Sequence, residues 1–240
     1  MALSAETFRR LLYADLSLAE VLASMNPKAD GVLADSLRLL RKGEPGPAEV
    51  ALATSMATRP DEVTAWHHLL MAGIQVARER PERAISALQR GLAHRKTDAR
   101  TRLFMGNALS ALGAAPDPVV EGVVVDVPSQ GGRDTLAAYT DGSVRYLVSH
   151  VARFVWDVPD GRLDAPVRAV MAAADQSLAD FSSERPQPAE GLALQAILTR
   201  GGLRFRQESV EALGQGTPGT PLFAAATRLL TDVLALTGWA

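Results

Sequence analysis

Residues Gly113-Ala114-Ala115-Pro116-Asp117-Pro118 constrain this 240-residue chain more than any other stretch. Two prolines this close lack the N–H groups a helix needs, and each pushes the residue before it out of the helical region. No helix crosses here. Before the break the chain is built from helix-forming residues. After it, Val119–Val127 reads VVEGVVVDV, β-branched and too short for a helix. The expected fold class is therefore α+β. A helical, repeat-like domain occupies 1–113, and an antiparallel sheet with two helices packed on one face occupies 118–240.

Six helical segments are predicted before the break. The first follows Ser4 and carries Phe8, Leu11, Leu12, Val21, Leu22 and Met25, ending at Asn26-Pro27. A second uses Leu33, Leu37 and Leu40 and stops at Gly43. Pro47 fits the first turn of a third, with Val50, Ala53 and Met56. Asp61 is the expected cap of a fourth, whose core stripe is Trp66, Leu69, Leu70 and Ile74. Pro81 opens a fifth through Ile85, Leu88 and Leu92, and Thr97 or Asp98 caps a sixth through Leu103, Met105 and Leu109.

The spacing repeats. Ala65, Met71 and Ala72 recur 34 residues later as Ala99, Met105 and Gly106, and Ala51, Leu52 and Met56 recur at an offset of 36 as Ala87, Leu88 and Leu92. Trp66-x-x-Leu69 followed by Ala84-x-x-x-Leu88 resembles the small-and-large alternation of tetratricopeptide repeats, over about residues 46–113. Small residues there let paired helices approach, and large ones fill the space between pairs. Gly91 and the missing tyrosine depart from that consensus.

The second part alternates strands and helices. Pro128–Gly132 is the expected turn after the first strand. Thr135–Thr140 pairs with Val144–Val148 through Asp141-Gly142, a type I′ signal, and a bend at Ser149-His150 leads to a strand at Arg153–Val158. A helix starts near Asp164 with Val167, Val170, Met171, Ala174, Leu178 and Phe181 on one face. Leu192–Thr199 and Leu203–Ser209 form another hairpin, and Thr220-Pro221 opens the last helix. Residues about 119–236 resemble a group of small uncharacterised bacterial proteins, through Val-Glu-Gly-Val-Val-Val, Asp141-Gly142-Ser143, Tyr146-Leu-Val-Ser149 and the Leu222-Phe223 helix. The glycine-rich stretch of that group is replaced here by His150-Val-Ala-Arg-Phe-Val. The resemblance supports the domain boundary and implies no catalytic residue.

The absence of cysteine excludes disulfides, thiolate metal sites and a cysteine nucleophile. Gly214-x-Gly216-x-x-Gly219 matches a dinucleotide fingerprint in letters alone, because no strand follows it and Pro218 stands inside the loop. His67 and His68 are adjacent on a helix and cannot form an i, i+4 metal pair. Asp126, Asp134, Glu208 and Glu211 sit at strand ends or turns and read as solvated carboxylates. No catalytic, cofactor-binding or metal-binding residue is expected, and no cofactor.

Charge supplies the remaining handle. Residues 1–113 hold 15 basic and 12 acidic side chains, a balance of +3, and residues 114–240 hold 10 and 15, a balance of −5. The basic excess centres on Arg78–Arg102, and Arg95, Lys96, Arg100 and Arg102 are the partner-binding candidates because they flank an exposed turn. Aromatic residues for base stacking are scarce there, so the expected partner is a protein and not nucleic acid. Without a signal-peptide core or a membrane-length apolar run, a cytoplasmic location is expected, and a homo-oligomer is compatible with everything above. The chain reads as a non-enzymatic bacterial interaction adaptor or scaffold. Two readings stay open beside it: a ligand-binding protein or enzyme with a pocket between the two domains, and a structural subunit of a larger bacterial assembly.

Overall fold

The computed structural model describes residues 10–25, 31–130, 132–148, 152–156, 160–187 and 189–237. The class is α+β, helices first and then an antiparallel sheet with helices. The chain divides into two compact units. One is Asp15–Asp117, and the other joins the segment up to Ala14 to Pro118–Ala240. The expected helix start after Ser4, its stop at Asn26-Pro27, the bend at Ser149-His150 and the strand end at Val158 lie outside the described residues.

In the helical unit, six α-helices follow one another: α1 (Leu18–Ser24), α2 (Val32–Arg41), α3 (Pro45–Thr58), α4 (Ala65–Ala77), α5 (Pro81–Ala93) and α6 (Ala99–Ala111). From α2 onward each packs chiefly on its neighbour in sequence, and α1 lies on α4 and α6. The long first helix expected from the sequence is broken. Ala14 adopts a φ of 51°, and Ser17 starts α1 afresh with a capping box to Glu20. Asp61 does not cap α4; it belongs to a short 3-10 turn, Pro60–Glu62, and Thr64 is the N-cap. Asp98 caps α6, its carboxylate accepting the Thr101 N–H at 2.9 Å. Leu52, Leu69, Leu70, Ile74, Leu88 and Leu103 are fully buried. Trp66, expected among them, is only half-buried, and His67 takes the inward place beside it. His67 Nδ1 accepts the Thr64 backbone N–H at 3.1 Å, which is why a polar ring is tolerated there.

The sheet has six strands: β1 (Val120–Ser129), β2 (Gly132–Tyr139), β3 (Val144–Val148), β4 (Ala152–Trp156), β5 (Leu192–Thr199) and β6 (Gly202–Ser209). Their order is β4-β3-β2-β1-β5-β6, antiparallel throughout. The unit also holds α7 (Asp164–Ser177), the short α8 (Val210–Leu213) and α9 (Thr220–Thr237). Strand alternation sends Val123, Val125, Leu136, Ala138, Val144, Tyr146 and Ile197 into one core with α7 and α9. β1 continues through Pro128 to Ser129, past Asp126, its last residue paired with β5, where one side of the strand is open and proline is tolerated. The Asp141-Gly142 hairpin is not type I′. Among described residues only Ala14 and Glu79 are non-glycines with positive φ, and Gly142 stands at 83°. The Gly142 N–H donates to Tyr139 O and the Tyr139 N–H to Ser143 O, both at 3.0 Å, as in a three-residue loop closed by a glycine bulge.

The opposite sheet face explains why the N-terminal segment belongs here and not with the helices. Tyr13 and Tyr139 are buried, and Tyr139 Oη donates to the Leu12 carbonyl at 2.7 Å. Tyr13 Oη donates to Asp126 Oδ2 at 2.7 Å, and Thr135 donates to the other oxygen of the same carboxylate. The Arg185 guanidinium lies 4.8 Å from the Tyr13 ring centre and 5.5 Å from that of Phe205. Burial, then the Asp126 charge, holds the Tyr13 phenol well above its ordinary pKa, so it stays a donor.

Candidate functional site

Three helices of the helical unit each turn one stripe toward a common groove of about 690 Å³. Glu49, Ala53 and Met56 come from α3, His68, Met71 and Gln75 from α4, and Arg83, Ser86 and Arg90 from α5. The spacing within each triplet, i, i+3 or i+4, i+7, is that of one helix face. The groove is thus a product of helix periodicity repeated three times.

Its polar groups are unevenly matched. Glu49 is half-buried and faces three arginines, Arg78 at 2.9 Å, Arg80 at 3.4 Å and Arg83 at 3.9 Å. Gln75, 3% exposed, donates its Nε2 to Glu49 Oε1 at 2.9 Å, and its Oε1 has no hydrogen-bond partner. Arg90 Nε donates to the Ser86 carbonyl at 3.3 Å, and no carboxylate of the described residues pairs with it. Burial first, then the nearby Arg90 charge, lowers the His68 pKa to about 4, so the ring is neutral at pH 7. With Arg83 and Arg90 against Glu49, the lining of the groove is net positive.

The residues singled out from the sequence divide. Arg95 and Lys96 are exposed in the turn that follows α5. Arg100 and Arg102 are half-buried, and Arg102 donates to the Thr97 carbonyl, which ties it to its own turn. All four flank the turn, but of them only Arg95 and Lys96 are exposed, and Arg102 is bound within the turn itself.

The other sequence candidates do not converge. Asp126 and Asp134 are on opposite faces of the sheet, holding Tyr13 and Thr135 in one case, Tyr146 and Ser129 in the other. Glu208 accepts from Arg206 Nη2 at 2.9 Å and Thr217 Oγ1 at 3.0 Å, and also from the Gly219 backbone N–H. Arg206 above all keeps its pKa below the usual glutamate value. That carboxylate lies at the start of α9, where a dinucleotide fold would put a phosphate, so the glycine loop is closed by the protein's own anion. Among the described residues no group of three or more metal-ligating side chains stands together. No helix among them is long and apolar enough to cross a membrane.

No family model, curated protein or solved structure matches this chain. The groove therefore carries the functional argument on its own residues. In the sequence His68 stands out only as a rejected metal ligand and Glu49 not at all, whereas Gln75, one step beyond Ile74 in a helix whose only other polar residues are two histidines, is a signal that this face differs.

Proposed function

We propose that this chain is a non-enzymatic adaptor whose helical unit captures an extended acidic segment of a partner protein. One observation carries the reading: the groove across α3, α4 and α5 is lined by Arg83 and Arg90 against the one carboxylate of Glu49, which Arg78 and Arg80 also pair. Guanidinium groups suit bidentate contact with carboxylates. Ala53, Met56 and Met71 supply an adaptable apolar floor for alternate side chains. Arg95 and Lys96, a few residues beyond Arg90, extend the positive surface.

The test uses a fluorescein-labelled decapeptide of alternating glutamate and leucine, with a lysine–leucine counterpart, read by anisotropy. The acidic peptide binds and the basic one does not. Changing Arg83 and Arg90 together to serine weakens binding about tenfold or more, as charge-assisted hydrogen bonds of ~1.5–3 kcal/mol imply. Binding also weakens with salt. Equal affinity for both peptides would overturn the proposal.

A further inference from the structure

We propose that the sheet unit binds a small apolar molecule with one hydrogen-bond-donating head, an alcohol or an amine, between Tyr146 and α9. A cavity of about 230 Å³ opens there, bounded by Val125, Leu136 and Tyr146 on the sheet and by Phe223, Ala226 and Leu230 on α9. An engineered cavity of about 150 Å³ with an apolar lining holds benzene, so this space takes one ring and a short arm. It exists because α9 presents Ala226 where Leu222 and Leu229, a turn away on the same face, fill the core completely. Exposed Thr227 stands at the mouth, and its hydroxyl is committed to the Phe223 carbonyl at 2.9 Å.

The polar end selects the head group. Tyr146 Oη donates its proton to Asp134 Oδ2 at 3.1 Å, so toward the cavity the phenol presents only lone pairs. Burial, then the Asp134 charge, holds the phenol pKa up at about 12, and the proton therefore stays in place throughout the neutral range. A ligand's head group meets acceptors only, that oxygen and the Asp134 carboxylate that also lines the cavity, and so must donate. The negative charge of Asp134 at the cavity wall disfavours a carboxylate and favours a neutral or cationic donor. The cavity shares no residue with the helical groove.

Titration calorimetry on the full chain decides the matter, with 2-phenylethanol, 2-phenylethylamine, ethylbenzene and phenylacetate as probes. The alcohol, the amine or both bind, and phenylacetate binds at least about tenfold more weakly. Tyr146→Phe lowers the affinity of the donor probes about five- to tenfold, the worth of one hydrogen bond, and leaves ethylbenzene unchanged. Ala226→Leu fills the space and removes binding of all four probes, with circular dichroism confirming that the variant folds. Failure of both donor probes to bind the unaltered protein overturns the proposal. So does phenylacetate binding as tightly as they do, or a folded Ala226→Leu protein that binds like the original.

Discussion

Gly219→Ala tests whether the glycine loop is shaped by packing against Glu208. A Cβ at this position would stand 2.3 Å from Glu208 Oε2, 2.5 Å from Gln195 Nε2 and 2.9 Å from Leu213 Cδ2. Ordinary carbon–oxygen contact is about 1 Å longer than the first of these, so the carboxylate has to retreat by that amount. Retreat stretches its bonds from Thr217 and the Gly219 N–H, while Gln195, fully buried, has no open space to move into. Overpacking costs ~1–3 kcal/mol and a hydrogen bond to a charged group ~1.5–3 kcal/mol. Since Glu208 is only partly buried, we take about 2 kcal/mol in all. With a urea slope of about 2 kcal/mol per molar, the midpoint falls by about 1 M. The assay follows Trp156 fluorescence in a background where Trp66 and Trp239 are phenylalanine. Gly216→Ala is the control: its φ is +87° with nothing within 4 Å of the added Cβ, so only the left-handed backbone term of about 1 kcal/mol applies. A Gly219→Ala midpoint within about 0.2 M of the parent would refute the packing argument.

Two further outcomes are expected. Tyr13→Phe removes the phenol from a buried carboxylate that keeps its Thr135 bond, and the sheet unit loses about 1.5–3 kcal/mol in the same urea assay; an unchanged midpoint would show that the N-terminal segment contributes nothing there. His68 carries a folded pKa of about 4 against 6.5 for the free side chain. The unfolded chain then takes up the proton first, so the stability tied to the neutral ring is complete above 6.5 and drains away as pH falls toward 4. Melting temperatures at pH 7.5, 5.5 and 4 should drop more steeply for the parent than for His68→Gln, and parallel curves would count against the assignment.

Local chemistry was legible wherever local chemistry decided. The two-proline break, the β-branched run from Val120, and the stripes of α7 and α9 are short-range patterns, and each became the element it implied. The failures are positions where a distant partner or a single dihedral ruled. Residues 10–12 look like part of a long amphipathic helix, but their destination is set by Tyr139 and Asp126, more than a hundred residues away. Trp66 and His67 compete for one inward place, and hydrophobicity alone favours the tryptophan; the hydrogen bond His67 makes to Thr64 reverses the order. The groove was missed because its residues come from three helices, and only their assembly gathers Glu49, Gln75 and the arginines. Basic charge near α5 was visible in the sequence, whereas the Thr97 carbonyl that occupies Arg102 was not.

Because the sheet unit owns both the segment ending at Ala14 and everything after Pro118, the helical unit is an insertion in its sequence, tethered at each end. During synthesis Leu12 and Tyr13 must wait for their partners while more than a hundred residues emerge ahead of the strands that will receive them. The helical unit, whose helices from α2 onward close chiefly on their neighbours in sequence, is free to form in that interval. A ribosome-attached chain would then already display its groove before the sheet unit exists, and a protease nick between the two tethers would leave fragments still joined through Tyr13 and Asp126.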